Sequence, residues 1–315
     1  MAVRNGAIPL VDLSDFESTD QAVKQKFIEN LADAFHNVGF VGVTGHGVPQ
    51  KLIDDFYTSA NKYFSLPTET KLKYEFPGAA GQRGYTSFGR EHAKGSNNPD
   101  LKEFFQICRE TENMPEDERN PDVDEVPEFV ELGKKLYSKF EERGNVLLSA
   151  IAIHLGLPED YFSKITENGM SILRAIHYPP ITSEPKSAIR AEQHEDINLI
   201  TLLVGASAGG LQLKTQSGEW KDVIPEQNEI VVNVGDMLQR LTNKYLKSTT
   251  HRVINPPKEE WHLPRLSIPF FLQPLPDTNL KALESCITPE NPEHFPPITA
   301  MEYLQERLNE IKRKV

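Results

Sequence analysis

The sequence predicts a mainly β protein with helical support, in which an antiparallel barrel or jelly roll follows an α/β region and is followed in turn by a C-terminal helix. Three observations carry this. Beyond residue 170, short β-like runs recur at 171–176, 199–204, 210–213, 230–234, 252–254 and 265–271, separated by Gly, Pro and Asn turn residues. Ahead of them, apolar residues recur at helical spacing. At the far end, Thr299 and Glu302 form a capping box before Tyr303, Leu308 and Ile311.

Taken in order, Ile8-Pro9-Leu10-Val11-Asp12-Leu13 reads as a short strand whose proline places it at a sheet margin. Val23, Phe27, Leu31, Phe35 and Val38 trace one face of an amphipathic helix closed by Gly39. A β segment at 40–43 and turn residues at 45–49 precede a second helix carrying Leu52, Phe56 and Tyr63. Residues 76–100 contain Pro77, Gly78, Gly81, Gly84, Gly89 and Gly95 and show no periodic apolar face. They are expected to form a long loop, ordered by Arg83, Tyr85, Phe88 and Arg90 and lying over a substrate. Acidic residues around Pro115, Pro121 and Pro127 make a solvated connector. A long helix then runs through Phe129, Leu132, Leu136, Phe140, Leu147, Ile151 and Leu155 to Gly156. The expected organisation is an N-terminal region over 1–160, a β core over 168–275 and a helical extension over 276–315, packed as one unit.

Composition narrows the function. The 315 residues, 38% of them hydrophobic, suffice for a sizeable core. With 34 Lys and Arg against 46 Asp and Glu, the net charge of −12 disfavours nucleic acid and anionic membrane surfaces as partners. Cys108 and Cys286 are too few for a disulfide framework and too far apart for a zinc motif. The start Met1-Ala2-Val3-Arg4-Asn5-Gly6 lacks the pattern of a signal peptide, and no apolar stretch is long enough for a membrane span. A soluble, cytoplasmic protein is the expectation.

The chemistry concentrates in Gln193-His194-Glu195-Asp196-Ile197-Asn198 at the mouth of an apolar run. In extended backbone, His194 and Asp196 share a face and Glu195 points away. His251, opening another β-like run, supplies a second imidazole if antiparallel strands bring it close. Two His and one carboxylate are the facial triad of non-haem Fe(II) oxygenases, which leaves positions open for oxygen and a co-substrate. Alone, His-x-Asp is more often a surface pair. Arg265-Leu266-Ser267 adds weight, because a guanidinium and a hydroxyl on one strand face can clamp a carboxylate.

In this order, His194-x-Asp196, His251 and Arg265-x-Ser267 resemble the 2-oxoglutarate and Fe(II)-dependent dioxygenases of the isopenicillin N synthase-like branch. Ile8 to Leu13, Gly39 to Val48, His177-Tyr178-Pro179-Pro180 and Gly235 to Asn243 are similar to that branch as well, so the likeness spans most of the chain. The resemblance implies a double-stranded β-helix (a cupin-like jelly roll) with His194, Asp196 and His251 as catalytic metal ligands and Arg265, Ser267 and Tyr178 on the far carboxylate of 2-oxoglutarate. Many relatives carry Asn two positions before this tyrosine; here it is Ile176. The implied reaction consumes O2 and 2-oxoglutarate, releases succinate and CO2, and oxidises a substrate C–H bond, with hydroxylation as the default. Relatives often build substrate contacts in the region of Arg83 and Tyr85, which makes these two the candidate substrate residues. Phe104, Phe105 and Phe270 fit either core or pocket wall. Two other readings remain at this stage: an oxidase in which Arg265 and Ser267 bind the substrate's own carboxylate, and a non-catalytic metal-binding jelly roll.

Overall fold

The computed structural model describes residues 8–76, 82–91, 99–185, 187–205, 207–226 and 228–311. Met1 to Gly6, and with them Pro77, Gly78, Gly81 and Gly95 of the expected loop, lie outside these residues. In chain order the elements begin with β1 (Leu10–Asp12), α1 (Gln21–Asn37), β2 (Phe40–Thr44), α2 (Gln50–Phe64) and α3 (Thr68–Lys71). There follow β3 (Gly84–Thr86), β4 (Glu103–Cys108), α4 (Glu128–His154), α5 (Tyr161–Thr166), β5 (Ile172–Tyr178), β6 (Ala191–His194) and β7 (Ile200–Val204). The chain ends with β8 (Leu211–Lys214), β9 (Trp220–Asp222), β10 (Ile230–Val234), α6 (Asp236–Leu241), β11 (His251–Val253), β12 (Arg265–Leu272) and α7 (Ala300–Ile311).

The strands form two sheets. The larger runs β1-β2-β10-β7-β12-β5-β4-β3 and the smaller β6-β11-β8-β9. All pairings are antiparallel except β1 with β2. β1 sits at the margin, where its neighbouring Pro9 leaves no ladder bond unmade. The large sheet crosses the expected boundary near residue 160, because β1 to β4 join the same sheet as β5 and β12.

Strand alternation decides what faces what. On β12, Leu266, Ile268, Phe270 and Leu272 enter the core under α4, where Phe270 meets the rings of Tyr137 at 4.9 Å and Phe140 at 5.9 Å. Gly144 lets α4 approach this closely, since a β-carbon there would stand 2.8 Å from Leu272 Cδ2. The alternate residues Arg265, Ser267, Pro269 and Phe271 face the other way, into a cavity of about 510 Å³ lined from both sheets. α4 therefore braces the sheet from behind and leaves its front free for chemistry.

The helices start and stop as their residues dictate. Asp20 caps α1 by accepting from Ala22 N at 2.9 Å, and Gly39 turns the chain out at φ +76°. Thr299 and Glu302 form the reciprocal capping box of α7, with Thr299 N to Glu302 Oε2 at 2.9 Å and Glu302 N to Thr299 Oγ1 at 3.3 Å. The structure departs from the sequence reading between 76 and 108. Within the expected loop, β3 pairs with β4, setting Tyr85 across from Phe105. β4 has almost no exposed face, so no polar alternation marked it in the sequence. Phe105 and Phe270 lie in the helix-covered core, whereas Phe104 joins the cluster between the sheets.

Candidate active site

The register of β6 with β11 sets His194 directly across from His251, with ring centres 4.4 Å apart. Asp196 follows just beyond β6 and brings Oδ1 to 3.8 Å from His194 Nε2 and 3.7 Å from His251 Nε2. One donor atom from each of the three residues lies within 4.8 Å of the others. Glu195 turns to Thr250, whose hydroxyl donates to its carboxylate at 3.1 Å.

The hydrogen bonds behind these atoms fix their state. His194 Nδ1 lies 2.7 Å from the Glu192 carbonyl and His251 Nδ1 lies 3.1 Å from that of Thr249. A carbonyl only accepts, so each Nδ1 carries a proton and each Nε2 is the ring nitrogen left to face the same point. Burial, followed by the neighbouring imidazole, pushes His194 down to about 4, so it is neutral at ordinary pH. Asp196 Oδ2 accepts from Thr201 Oγ1 at 2.6 Å and Asn233 Nδ2 at 2.8 Å, which leaves Oδ1 to face the imidazoles. Asn198 donates to Thr201 Oγ1 at 2.8 Å, so the Thr201 proton must point at Asp196. Burial favours the neutral carboxyl, but the two imidazoles and these two donors outweigh it and hold Asp196 below its ordinary value. Two imidazole nitrogens and one carboxylate oxygen on one point are a donor set that fits Fe(II).

The same cavity carries a place for a carboxylate. On β12 and β5, Arg265 pairs in register with Tyr178 and Ser267 with Ile176. Arg265 Nε donates to the carbonyls of Ala208 at 3.0 Å and Gly209 at 3.1 Å, which aims the guanidinium. Its Nη1 is buried with no partner among the described residues. Tyr178, Arg265 and Ser267 all line the cavity that holds the three converging donors.

Comparison with known proteins agrees with this geometry. Residues 8–128 match the family described as non-haem dioxygenase in morphine synthesis N-terminal, and residues 169–274 match the 2OG-Fe(II) oxygenase superfamily. The chain belongs to the 2OG-Fe(II) oxygenase superfamily. A 2OG-Fe(II) oxygenase family protein from Caulobacter crescentus superposes with a TM-score of 0.87 at 41% identity, covering 98% of this chain and 100% of that one. A full-length Neurospora crassa protein in complex with alpha-KG and thymine gives 0.86 at 31%, covering 96% of each chain. The 2-oxoglutarate-Fe(II) type oxidoreductase hxnY of Emericella nidulans is 32% identical over 307 residues, 93% of this chain and 87% of that protein. This oxygenase is accordingly a dioxygenase with a double-stranded β-helix that uses Fe(II) and 2-oxoglutarate and acts on a small molecule.

The oxygenase does not bring Arg83 or Tyr85 to the cavity wall. Tyr85 is buried, and its hydroxyl donates to Glu103. Arg83 donates to the Glu118 carbonyl and lies over the Phe76 ring at 5.1 Å. The β3–β4 pairing holds Tyr85 across from Phe105, and Gln82, next to Arg83, lines the cavity instead. The wall holds residues that sequence reasoning passed over. Arg174 donates to Gln106 at 2.6 Å and lies between Phe104 and Phe271, 4.2 and 5.2 Å from their ring centres. Lys102 bridges Glu91 at 2.7 Å and Asp100 at 2.9 Å, and Asp100 in turn accepts from the backbone of Glu192 on β6. Leu304, Arg307 and Leu308 add a side from α7. Among the described residues no helix is long and apolar enough to cross a membrane.

Proposed function

We propose that His194, Asp196 and His251 hold the Fe(II), that Arg265, Ser267 and Tyr178 receive the far carboxylate of 2-oxoglutarate, and that the enzyme hydroxylates a C–H bond of a small polar organic substrate. The observation that carries this is the buried Nη1 of Arg265, without a partner among the described residues, on the same cavity as the convergent donors. A buried guanidinium nitrogen with no acceptor is costly, and a carboxylate between it and the Ser267 hydroxyl removes that cost. When bound, the metal supplies the redox chemistry that couples O2 and oxo-acid decarboxylation to substrate oxidation.

The chain's own work is orientation and exclusion of water. Arg265 and Ser267 set one end of the co-substrate, and Ile176 beside Ser267 keeps that end apolar apart from its charged contacts. The Thr201 and Asn233 bonds leave Asp196 one free oxygen, so the three residues occupy few positions around the ion. Arg174, Gln106 and Lys102 give the wall polar groups beside Phe271, which supports a small substrate with its own hydrogen-bonding atoms; the Neurospora crassa complex, which contains thymine, is in keeping with this. The free thiols of Cys108 and Cys286 support a reducing, cytoplasmic setting.

The test is succinate formation from 2-oxoglutarate in air by Fe(II)-loaded enzyme. Arg265→Leu should raise the 2-oxoglutarate concentration needed, since a charge-assisted contact typically contributes about 1.5–3 kcal/mol. An unchanged requirement removes the proposed anchor.

A further inference from the structure

Arg265 is not the only guanidinium beside Tyr178. Arg190, immediately before β6, is 2% exposed, and its Cζ lies 5.9 Å from the centre of the Tyr178 ring, against 5.0 Å for Arg265 on the same ring. Its one hydrogen bond among the described residues runs from Nη2 to the Leu263 carbonyl at 3.1 Å, and its Nε is buried without a partner. Among the described residues no carboxylate approaches either arginine within ion-pair distance. Glu260 is the acid that Arg190 senses, and it stands exposed on a surface turn. Burial, followed by the charge of Arg265, pushes Arg190 down to about 10, which still leaves it charged at neutral pH.

Two like charges buried around one aromatic ring are unfavourable unless an anion joins them. The Tyr178 ring offers each a π face, which softens the cost without supplying a counter-charge. We propose that Arg190 is a further co-substrate-selecting residue: the far carboxylate of 2-oxoglutarate, bound at Arg265, is the counter-charge for both arginines, and the pair selects dicarboxylic oxo acids over monocarboxylic ones. The inference rests on the Arg265 reading above. Arg190 acts by its field across Tyr178, and its contact with Leu263 is a separate structural role that a neutral donor can fill.

The two roles separate experimentally. Binding of 2-oxoglutarate and of 2-oxobutyrate, which has the same oxo-acid head and no far carboxylate, is measured on anaerobic Fe(II) enzyme for the unaltered chain, Arg190→Gln, Arg190→Lys and Arg265→Gln. Glutamine keeps a donor for the Leu263 carbonyl while removing the charge. Arg190→Gln should weaken 2-oxoglutarate about tenfold, the scale of one lost interaction with a buried charge, leave 2-oxobutyrate unchanged, and preserve kcat at saturating co-substrate. Arg190→Lys, which keeps the charge, should keep the preference for the dicarboxylate. Equal loss for both oxo acids, no loss for either, or a lysine variant as impaired as the glutamine one overturns the proposal. If Arg265→Gln weakens 2-oxoglutarate and Arg190→Gln does not, only this inference fails; if Arg265→Gln also has no effect, the anchor reading fails with it.

Discussion

Asp196 shows how much of the site depends on single atoms. Its Oδ2 takes two donors, Thr201 and Asn233, and its Oδ1 takes none among the described residues, so the side chain offers the metal one oxygen in one direction. Removing a donor frees the carboxylate to rotate. Asn233→Ala should weaken Fe(II) or Co(II) binding by about 10- to 100-fold, the range found for outer hydrogen-bond partners of metal ligands, as read by competition with a coloured chelator. Undiminished affinity would show that Asp196 is held by other means. His251→Ala should abolish iron-dependent succinate formation with the circular dichroism spectrum intact; residual full turnover would remove His251 from the site. The three donors were legible in the sequence because His-x-Asp, a later His and Arg-x-Ser stand in order. The supporting pair was not singled out, although each leaves a trace: Thr201 and Asn233 are polar residues inside the otherwise apolar strands β7 and β10. Arg190 leaves no such trace, since nothing local marks an arginine as buried.

At the scale of elements, Glu103 joins α3, β3, β4 and β5. It accepts from Lys71 at 2.8 Å, from His177 Nδ1 at 2.7 Å and from the Tyr85 hydroxyl, all beneath the surface. Burial alone would raise its carboxyl, but these three donors outweigh burial and hold it below its ordinary value of 4.5. A carboxylate depressed in this way adds stability above about 4.5, and that stability is lost as pH falls toward the folded value. Glu103→Gln should therefore lower the unfolding free energy at pH 7 by about 3 kcal/mol, because Lys71 is left as a buried charge without its partner. Denaturant titrations of both proteins should converge as the pH is lowered below 4.5. A constant gap would assign the loss to packing alone. This hub explains why the Tyr85 expectation misled. A Tyr in a glycine-rich segment looks like a loop contact, yet β4, buried on both faces, gave no alternation to reveal the strand that captures it.

Over the whole molecule, the two sheets and α7 line a cavity in which the converging donors face the same space as Arg265, whose Nη1 has no partner among the described residues. The architecture was readable at α1 and α4, which bury one face and expose the other, and at the strand runs after residue 170, which stand out as short apolar stretches between Gly, Pro and Asn turn residues. The cavity's composition was not readable, because Lys102, Arg174 and Arg307 come from separate elements and meet only in three dimensions. The central claim is that metal and oxo acid share this cavity through His194, Asp196, His251 and Arg265. Its most direct test is an anaerobic titration of Fe(II) protein with 2-oxoglutarate, followed by visible absorption. A metal-to-ligand charge-transfer band should grow to saturation in the unaltered chain, vanish in His251→Ala and require more 2-oxoglutarate in Arg265→Leu; no band in the unaltered chain would contradict the account.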